Sequence, residues 1–237
     1  MRRLSLPLLC FLILVSLLLG WGLWEAITWP NVARLAKEDP KSTAFIERYQ
    51  GTQGKDGKKR RADWRPVPAS RISNELKHAV VVAEDIDFFS HHGFAWEEIK
   101  KAWKEAKEQD RPLRGASTLT QQLAKNLWLS PSRNPWRKAK EALLTRDLER
   151  HLSKTRILEL YLNVVEFGPG IFGAEAASRR YFGKPAAFLS RAEAVQLAAS
   201  LPKPSQWHPG SRSRVYQRRV ARLLLRVEKT DWVRGQL

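Results

Sequence analysis

The sequence predicts a mostly α-helical protein headed by an apolar helix. Three observations carry this reading. Apolar residues recur at helical spacing in eight successive stretches from about residue 70 onward. Nowhere does an alternating run of Val, Ile and Thr reach the length of a central strand, and no internal repeat is present. Residues Leu4 to Trp24 carry no charge at all.

That first element is 21 residues long. It would span roughly 31 Å at about 1.5 Å per residue, enough for a bilayer core of about 30 Å. A cleaved signal peptide is the alternative, but its apolar core would be shorter, about 7–15 residues, with small residues at a cleavage site. Trp21, Trp24 and Trp29 follow instead, as in an interfacial aromatic belt. Arg2 and Arg3 place the tip in the cytoplasm and the rest of the chain outside. We therefore divide the 237 residues into a tip and signal anchor (1–29), a juxtamembrane basic linker (30–68) and one globular domain (69–237).

Within the linker, residues 34–50 read as a short helix and Gly51 to Arg65 as a polar loop. The loop carries Lys55, Lys58, Lys59, Arg60, Arg61 and Arg65, which suits a solvated surface or contact with anionic lipid headgroups. The domain's helices are expected over Ser70–Glu84, Trp96–Gln109, Ser117–Leu129, Pro135–Leu152, Lys154–Phe167, Ala174–Tyr181, Arg191–Leu201 and Arg212–Glu228. The stretch Arg156 to Gly173 reads mostly as core, ended by a glycine-rich turn.

Lys and Arg outnumber Asp and Glu by 42 to 24, a net charge of +18. Such a field favours polyanionic partners, and a domain outside the cytoplasm turns that away from nucleic acid toward a membrane surface or a phosphate-bearing substrate. Cys10, in the apolar run, is the single cysteine, so an intramolecular disulfide and a cysteine metal site are excluded. His91 and His92 are adjacent and no His-x-x-x-His occurs, a poor metal pattern.

Two segments stand out chemically. The apolar run Ala79–Ala83 leads into Glu84-Asp85, then Phe88, His91 and Gly93. A carboxylate held against apolar surface acquires the raised pKa of a general acid or base; a helix end with solvated acids is the plainer reading. The second segment is Gly115-Ala-Ser-Thr-Leu-Thr-Gln-Gln-Leu-Ala-Lys-Asn126. Thr118, Gln122 and Lys125 share one helix face, and the helix start with Ser117 and Thr118 suits an anion or an ordinary cap. Arg137 and Glu141, four residues apart, form either a surface pair or a guanidinium and second carboxylate for a substrate phosphate.

Taken together these segments resemble the family 51 glycosyltransferases, the peptidoglycan glycosyltransferase module. Glu84, Asp85, Phe88, His91 and Gly93 meet its first pattern, and Gly115 to Asn126 its second. Arg137-Lys138-Ala-Lys140-Glu141 matches the third, Ile157 to Gly173 the fourth, and Leu201-Pro202-Lys-Pro204 the fifth. The five occur in order over about residues 70–205. A penicillin-binding transpeptidase domain is not expected, because Ser200-Leu-Pro-Lys203 lacks its later partners.

The resemblance implies a lysozyme-like, two-lobed fold and polymerisation of lipid II at the outer face of a bacterial inner membrane. It makes Glu84 and Glu141 the catalytic carboxylates, Glu84 as base toward the acceptor hydroxyl and Glu141 as organiser of cations. Asp85 would hold Glu84, with Phe88 and His91 shaping the acceptor side. Lys125, Arg133 and Arg137 would take the donor's diphosphate, assisted by Ser117, Thr118, Gln122 and Asn126. No cofactor is demanded, although a divalent ion, Mg or Mn, has a place beside Glu141 and that diphosphate. Partners implied are lipid II, the lipid-linked nascent glycan, the membrane, and other wall-synthesis or division proteins. The rivals are a lysozyme-like glycan hydrolase or lytic transglycosylase, which needs a protonated acid and no cation cluster, and a non-catalytic membrane-anchored basic scaffold.

Overall fold

A computed structural model describes residues 6–54, 57–108, 117–132 and 134–237. The apolar run is one continuous helix, α1 (Leu6–Ile27), with no buried side chain. It is long and apolar enough to cross a membrane. Residues Met1–Asn31 form one structural unit and Val32–Leu237 another; Arg2 and Arg3 lie outside the described residues.

The second unit is built on local signals that the sequence carries openly. Ser73 accepts a hydrogen bond from Leu76 N and starts α3 (Asn74–Glu84). Thr118 and Gln121 form a reciprocal capping box at the head of α5 (Leu119–Trp128), as Ser190 and Glu193 do for α9 (Arg191–Ser200). Asn134 caps α6 (Pro135–His151), whose first residue is a proline, and Ser153 caps α7 (Lys154–Val164). The remaining helices are α2 (Ala44–Gly51), α4 (Trp96–Glu108), α8 (Ala174–Phe182) and α10 (Arg214–Glu228).

Packing gathers these helices into two groups. α3 lies against α9 and α10, while α5 lies against α2, α6 and α7. The second half of α3 is apolar, and Leu76, Val80, Val81 and Val82 are wholly buried. Burying each such side chain contributes about 1.5–3 kcal/mol. That anchorage fixes the position of the helix's last residue, Glu84, where the two groups meet.

Two expectations need correction. Residues 32–68 are not a free linker but part of the second unit. Val32, Leu35 and Ile46 are buried. Arg156 Nε donates to Leu35 O at 2.8 Å, and its Nη2 pairs with Asp39 at 2.8 Å. Trp64 Nε1 donates to Asn163 O at 2.7 Å, and the Asn163 side chain bonds both backbone groups of Val67, at 2.9 and 2.8 Å. Secondly, the helix expected to reach Phe167 stops at Val164. Residues Glu166–Gly168 (β2) and Ile171–Phe172 (β3) form a short hairpin, and Asp63–Trp64 (β1) joins β3 in parallel. Gly173 sets this geometry: its φ is +82°, and a Cβ there would lie 2.6 Å from Asn163 O.

Candidate active site

Glu84 is positioned by its helix and by two partners from elsewhere. Its Oε2 accepts from Gln122 Nε2 on α5 at 3.0 Å, and its Oε1 faces Arg219 Nη2 on α10 at 3.4 Å. The side chain retains only 13% of its free exposure. Burial pushes its pKa above the ordinary carboxylate range, and Asp85 adds to this; Gln122, Arg219 and Lys125 pull the other way. The C-terminal end of a helix is also a poor place for an anion, since the unpaired carbonyls there are the negative end of the dipole. A carboxylate destabilised in this manner is a competent proton acceptor.

Asp85, the next residue, meets the opposite environment. One of its oxygens accepts from Leu119 N, the first helical residue of α5, at 2.9 Å. The other accepts from His91 Nε2, also at 2.9 Å. His91 Nδ1 accepts from Gly93 N at 3.1 Å, so the ring carries its proton on Nε2 and donates it to Asp85. Asp85 and His91 thus tie the loop after α3 to the start of α5. Thr118 completes the tie: its hydroxyl donates to Gly93 O at 2.8 Å and accepts from Gln121 N at 3.2 Å.

A cavity of about 280 Å³ opens beside this loop. It is lined by Glu84 and Asp85, by Asp87, Glu98 and Glu105, and by Arg226 of α10. Ser117, an exposed residue, and Thr118 also reach it. Phe88 does not. It is fully buried, edge-on to Phe89 and His91, with Lys154 Nζ 4.5 Å from its ring centroid. Phe88, expected to shape the acceptor side as a substrate-binding residue, lines no part of this cavity and supports the loop from behind.

A group of cations lies near Glu84: Lys125 feels its charge together with those of Glu141, Arg137 and Lys138. Glu141, buried on α6, accepts from Arg137 Nη1 at 2.5 Å and from Lys138 Nζ. Lys125, on α5, has its Nζ 5.9 Å from the centroid of Phe45 on α2 and no hydrogen-bond partner among the described residues. Burial pushes the Lys125 pKa down; Arg137 and Lys138 add to this, and Glu141 and Glu84 oppose it. The Nε groups of Arg137 and of Arg219 are buried without an acceptor among the described residues. A group of cations with unmet donors beside a carboxylate is suited to an incoming anion. Asn126 is buried on the same helix as Lys125. Arg133, Gly115 and Ala116 lie outside the described residues.

With this geometry in place, comparison with known proteins is decisive. The family model described as Transglycosylase matches residues 51–228. The chain belongs to the transglycosylase family. Among its relatives is a biosynthetic peptidoglycan transglycosylase of Azoarcus sp. (strain BH72), 50% identical over 194 residues, covering 81% of this chain and 82% of the relative. Proteins of the same name from Thiobacillus denitrificans and Chromobacterium violaceum are 49% and 39% identical, covering 87% and 93% of this chain and 88% and 98% of theirs. This transglycosylase is therefore an enzyme.

Among the described residues the transglycosylase has no ligand cluster that would hold a metal at Glu141 without oxygens from the substrate. That carboxylate already serves two cations, and among the described residues no group of three or more His, Cys, Asp or Glu is arranged to hold an ion. Three contributors were not read from the sequence as site residues. Phe45 lies in a segment that composition marks as linker. Arg219 belongs to an arginine-rich helix with no motif of its own. Tyr161 donates its buried hydroxyl to Gln122 Oε1 at 3.0 Å. A hydroxyl inside an apolar helix needs such a partner, and that was the available signal.

Proposed function

We propose that this transglycosylase is a peptidoglycan polymerase. It joins lipid II units into β-1,4-linked glycan strands, releases undecaprenyl diphosphate, and inverts the donor's anomeric carbon. The observation that carries the reading is the placement of Glu84. It is a largely buried carboxylate of raised pKa that lines an open cavity and lies near Lys125, around which Arg137, Lys138 and Glu141 gather. The names of the relatives agree with it.

In this reading the acceptor sugar occupies the cavity, whose Asp87, Glu98 and Glu105 accept hydrogen bonds from its hydroxyls. Glu84 takes the proton of the acceptor's 4-hydroxyl as that oxygen attacks the donor's anomeric carbon. The bond from that carbon to the diphosphate oxygen breaks, and the electron pair leaves with the diphosphate. Lys125 and Arg137 receive the developing charge, so no strong general acid is required. Ser117, Gln122 and Asn126 flank this path, and Asp85 with His91 holds the loop that follows Glu84. Glu141 keeps Arg137 and Lys138 in place.

Glycan hydrolysis fits less well. Its leaving group is a sugar hydroxyl, which needs a protonated acid and makes no use of the cations gathered at Lys125, Arg137 and Lys138. The anchor suits a substrate whose lipid tail stays in the bilayer, with α1 as a single pass and the second unit on the outer side of the inner membrane. The test is purified full-length protein with lipid II, read by gel separation of the products. Longer glycans are expected. Degradation of finished sacculi without polymerisation would overturn the reading.

A further inference from the structure

We propose that Tyr161 is a positioning residue that acts through Gln122: by fixing the Gln122 amide with its N–H toward Glu84, it keeps Glu84 in the ionised form that can take a proton. The inference rests on the reading of Glu84 as the base.

The geometry is a chain of three side chains from three helices. Tyr161 O–H on α7 donates to Gln122 Oε1 on α5 at 3.0 Å, and Gln122 Nε2–H donates to Glu84 Oε2 on α3 at 3.0 Å. The orientation of an amide decides which partner sees a donor and which an acceptor. Turned over, Gln122 would set its carbonyl oxygen against Glu84 and favour the protonated acid. It would also strip the Tyr161 hydroxyl proton of its acceptor. Tyr161 is wholly buried, and Gln122 Oε1 is the acceptor it has among the described residues. A buried donor without an acceptor is costly, so the tyrosine selects one amide orientation. Polarisation along the chain strengthens the final bond to the carboxylate.

The other groups facing Glu84 do not make this bond redundant. Arg219 of α10 approaches the second oxygen at 3.4 Å, longer than the Gln122 bond. Lys125 of α5 is opposed by Asp85, which pushes the other way. Arg226 of α10 shares the cavity wall with Glu84. α9 also packs on α3, but its Arg191 pairs with Glu75 at the far end. Burial keeps the Tyr161 hydroxyl protonated, pushing its pKa well up. It therefore serves as a donor throughout the working pH range.

The test uses the full-length protein in detergent micelles. Glutamate carboxyl carbons are labelled with ¹³C, and Glu84 is assigned by its loss in Glu84→Gln. Its titration midpoint is followed in wild type, Tyr161→Phe, Gln122→Met and the double variant, alongside the pH profile of lipid II polymerisation. In Tyr161→Phe the midpoint rises by about half a pH unit or more. kcat at pH below the shifted midpoint falls by up to about threefold for half a pH unit, KM stays within about twofold, and the rate recovers as pH rises. Gln122→Met raises the midpoint as well, and adding Tyr161→Phe to it raises it no further. An unmoved midpoint in folded Tyr161→Phe, or an undiminished Tyr161→Phe shift in the Gln122→Met background, overturns the proposal. Where Tyr161→Phe does not fold, Gln122→Met decides: an unmoved Glu84 midpoint sinks the relay. A wild type that does not polymerise lipid II refutes the proposed function instead, and the titration still reports on Tyr161.

Discussion

Replacing Glu84 with Gln should separate the chemistry from the fold. The substitution keeps the side-chain volume and leaves an amide oxygen to accept from Gln122 Nε2, now at 3.0 Å from the carboxylate. It removes the ion pair with Arg219, whose side chain retains 30% exposure and whose contact is 3.4 Å. Such a pair is worth about 0–1 kcal/mol. Against that loss stands the burial of the charge. The folded-state pKa of Glu84 is raised, so the native protein binds more protons than the unfolded chain between the ordinary and the raised value. Stability from this group is present below the ordinary pKa and lost as pH rises through the folded one. Glu84→Gln does not titrate, so its melting temperature relative to wild type should climb as pH is taken upward through that window, then level off. At pH 8 it should melt at or above wild type. Polymerisation of lipid II should fall about 10²–10⁴-fold, the contribution of a positioned general base. Thermal melts at pH 4 and 8, with single-turnover polymerisation at pH 8, provide the check. Turnover within a few fold of wild type would refute Glu84 as the base, and a variant less stable at pH 8 than at pH 4, relative to wild type, would refute the desolvation argument.

Lys125→Ala removes the cation with no hydrogen-bond partner among the described residues; we expect a loss of about 10-fold or more in kcat/KM with folding retained, measured by initial rates and melting. Glu141→Ala leaves Arg137, only 15% exposed, without its carboxylate. Removing one partner of a buried pair costs about 3–5 kcal/mol, so this variant should melt well below wild type and lose activity even where it folds. Gly93→Ala places a Cβ 2.8 Å from Thr145 Cγ2 and 3.0 Å from Glu149 Cγ at φ +87°. Strain of about 1–3 kcal/mol should appear in chemical denaturation, with weaker turnover because the same loop carries Asp85 and His91.

The helices, their caps and the chemical character of Glu84, Gln122 and Lys125 were legible because each depends on residues a few positions apart. What escaped depends on distance along the chain. Thr118 reads as an anion-binding hydroxyl until its partner proves to be Gly93 O, 25 residues away. Asp85 reads as an aid to Glu84 until its carboxylate is seen on Leu119 N, 34 residues on. Phe88 looks like an aromatic beside an active acid, and only its complete burial shows that it faces inward. The segment before residue 69 looked like a linker because its basic loop dominates the composition, while what docks it, buried Ile46 and the bonds of Trp64 and Val67 to Asn163, involves partners far along the chain. The hairpin after α7 has strands of two and three residues, too short for alternation to register.

The opposed placements of Glu84 and Lys125 explain how one rigid site could drive the proposed reaction. Both groups are held where burial disfavours their charged forms, the acid shifted up and the amine shifted down. In the proposed transfer, Glu84 becomes neutral as it takes the acceptor's proton, while negative charge accumulates on the departing diphosphate. One negative charge thus passes from the buried C-terminal end of α3 to the neighbourhood of Lys125 and Arg137; Lys125 and the Arg137 Nε have no acceptor beforehand among the described residues. The net charge of the site does not change, so little reorganisation of its surroundings is needed. What changes is the charge's location, from a place where burial and the helix dipole oppose it to one where fixed cations receive it. The ground-state discomfort of Glu84 and the unmet donors of the cation group are then two ends of the same device, and weakening either should lower kcat more than it raises KM.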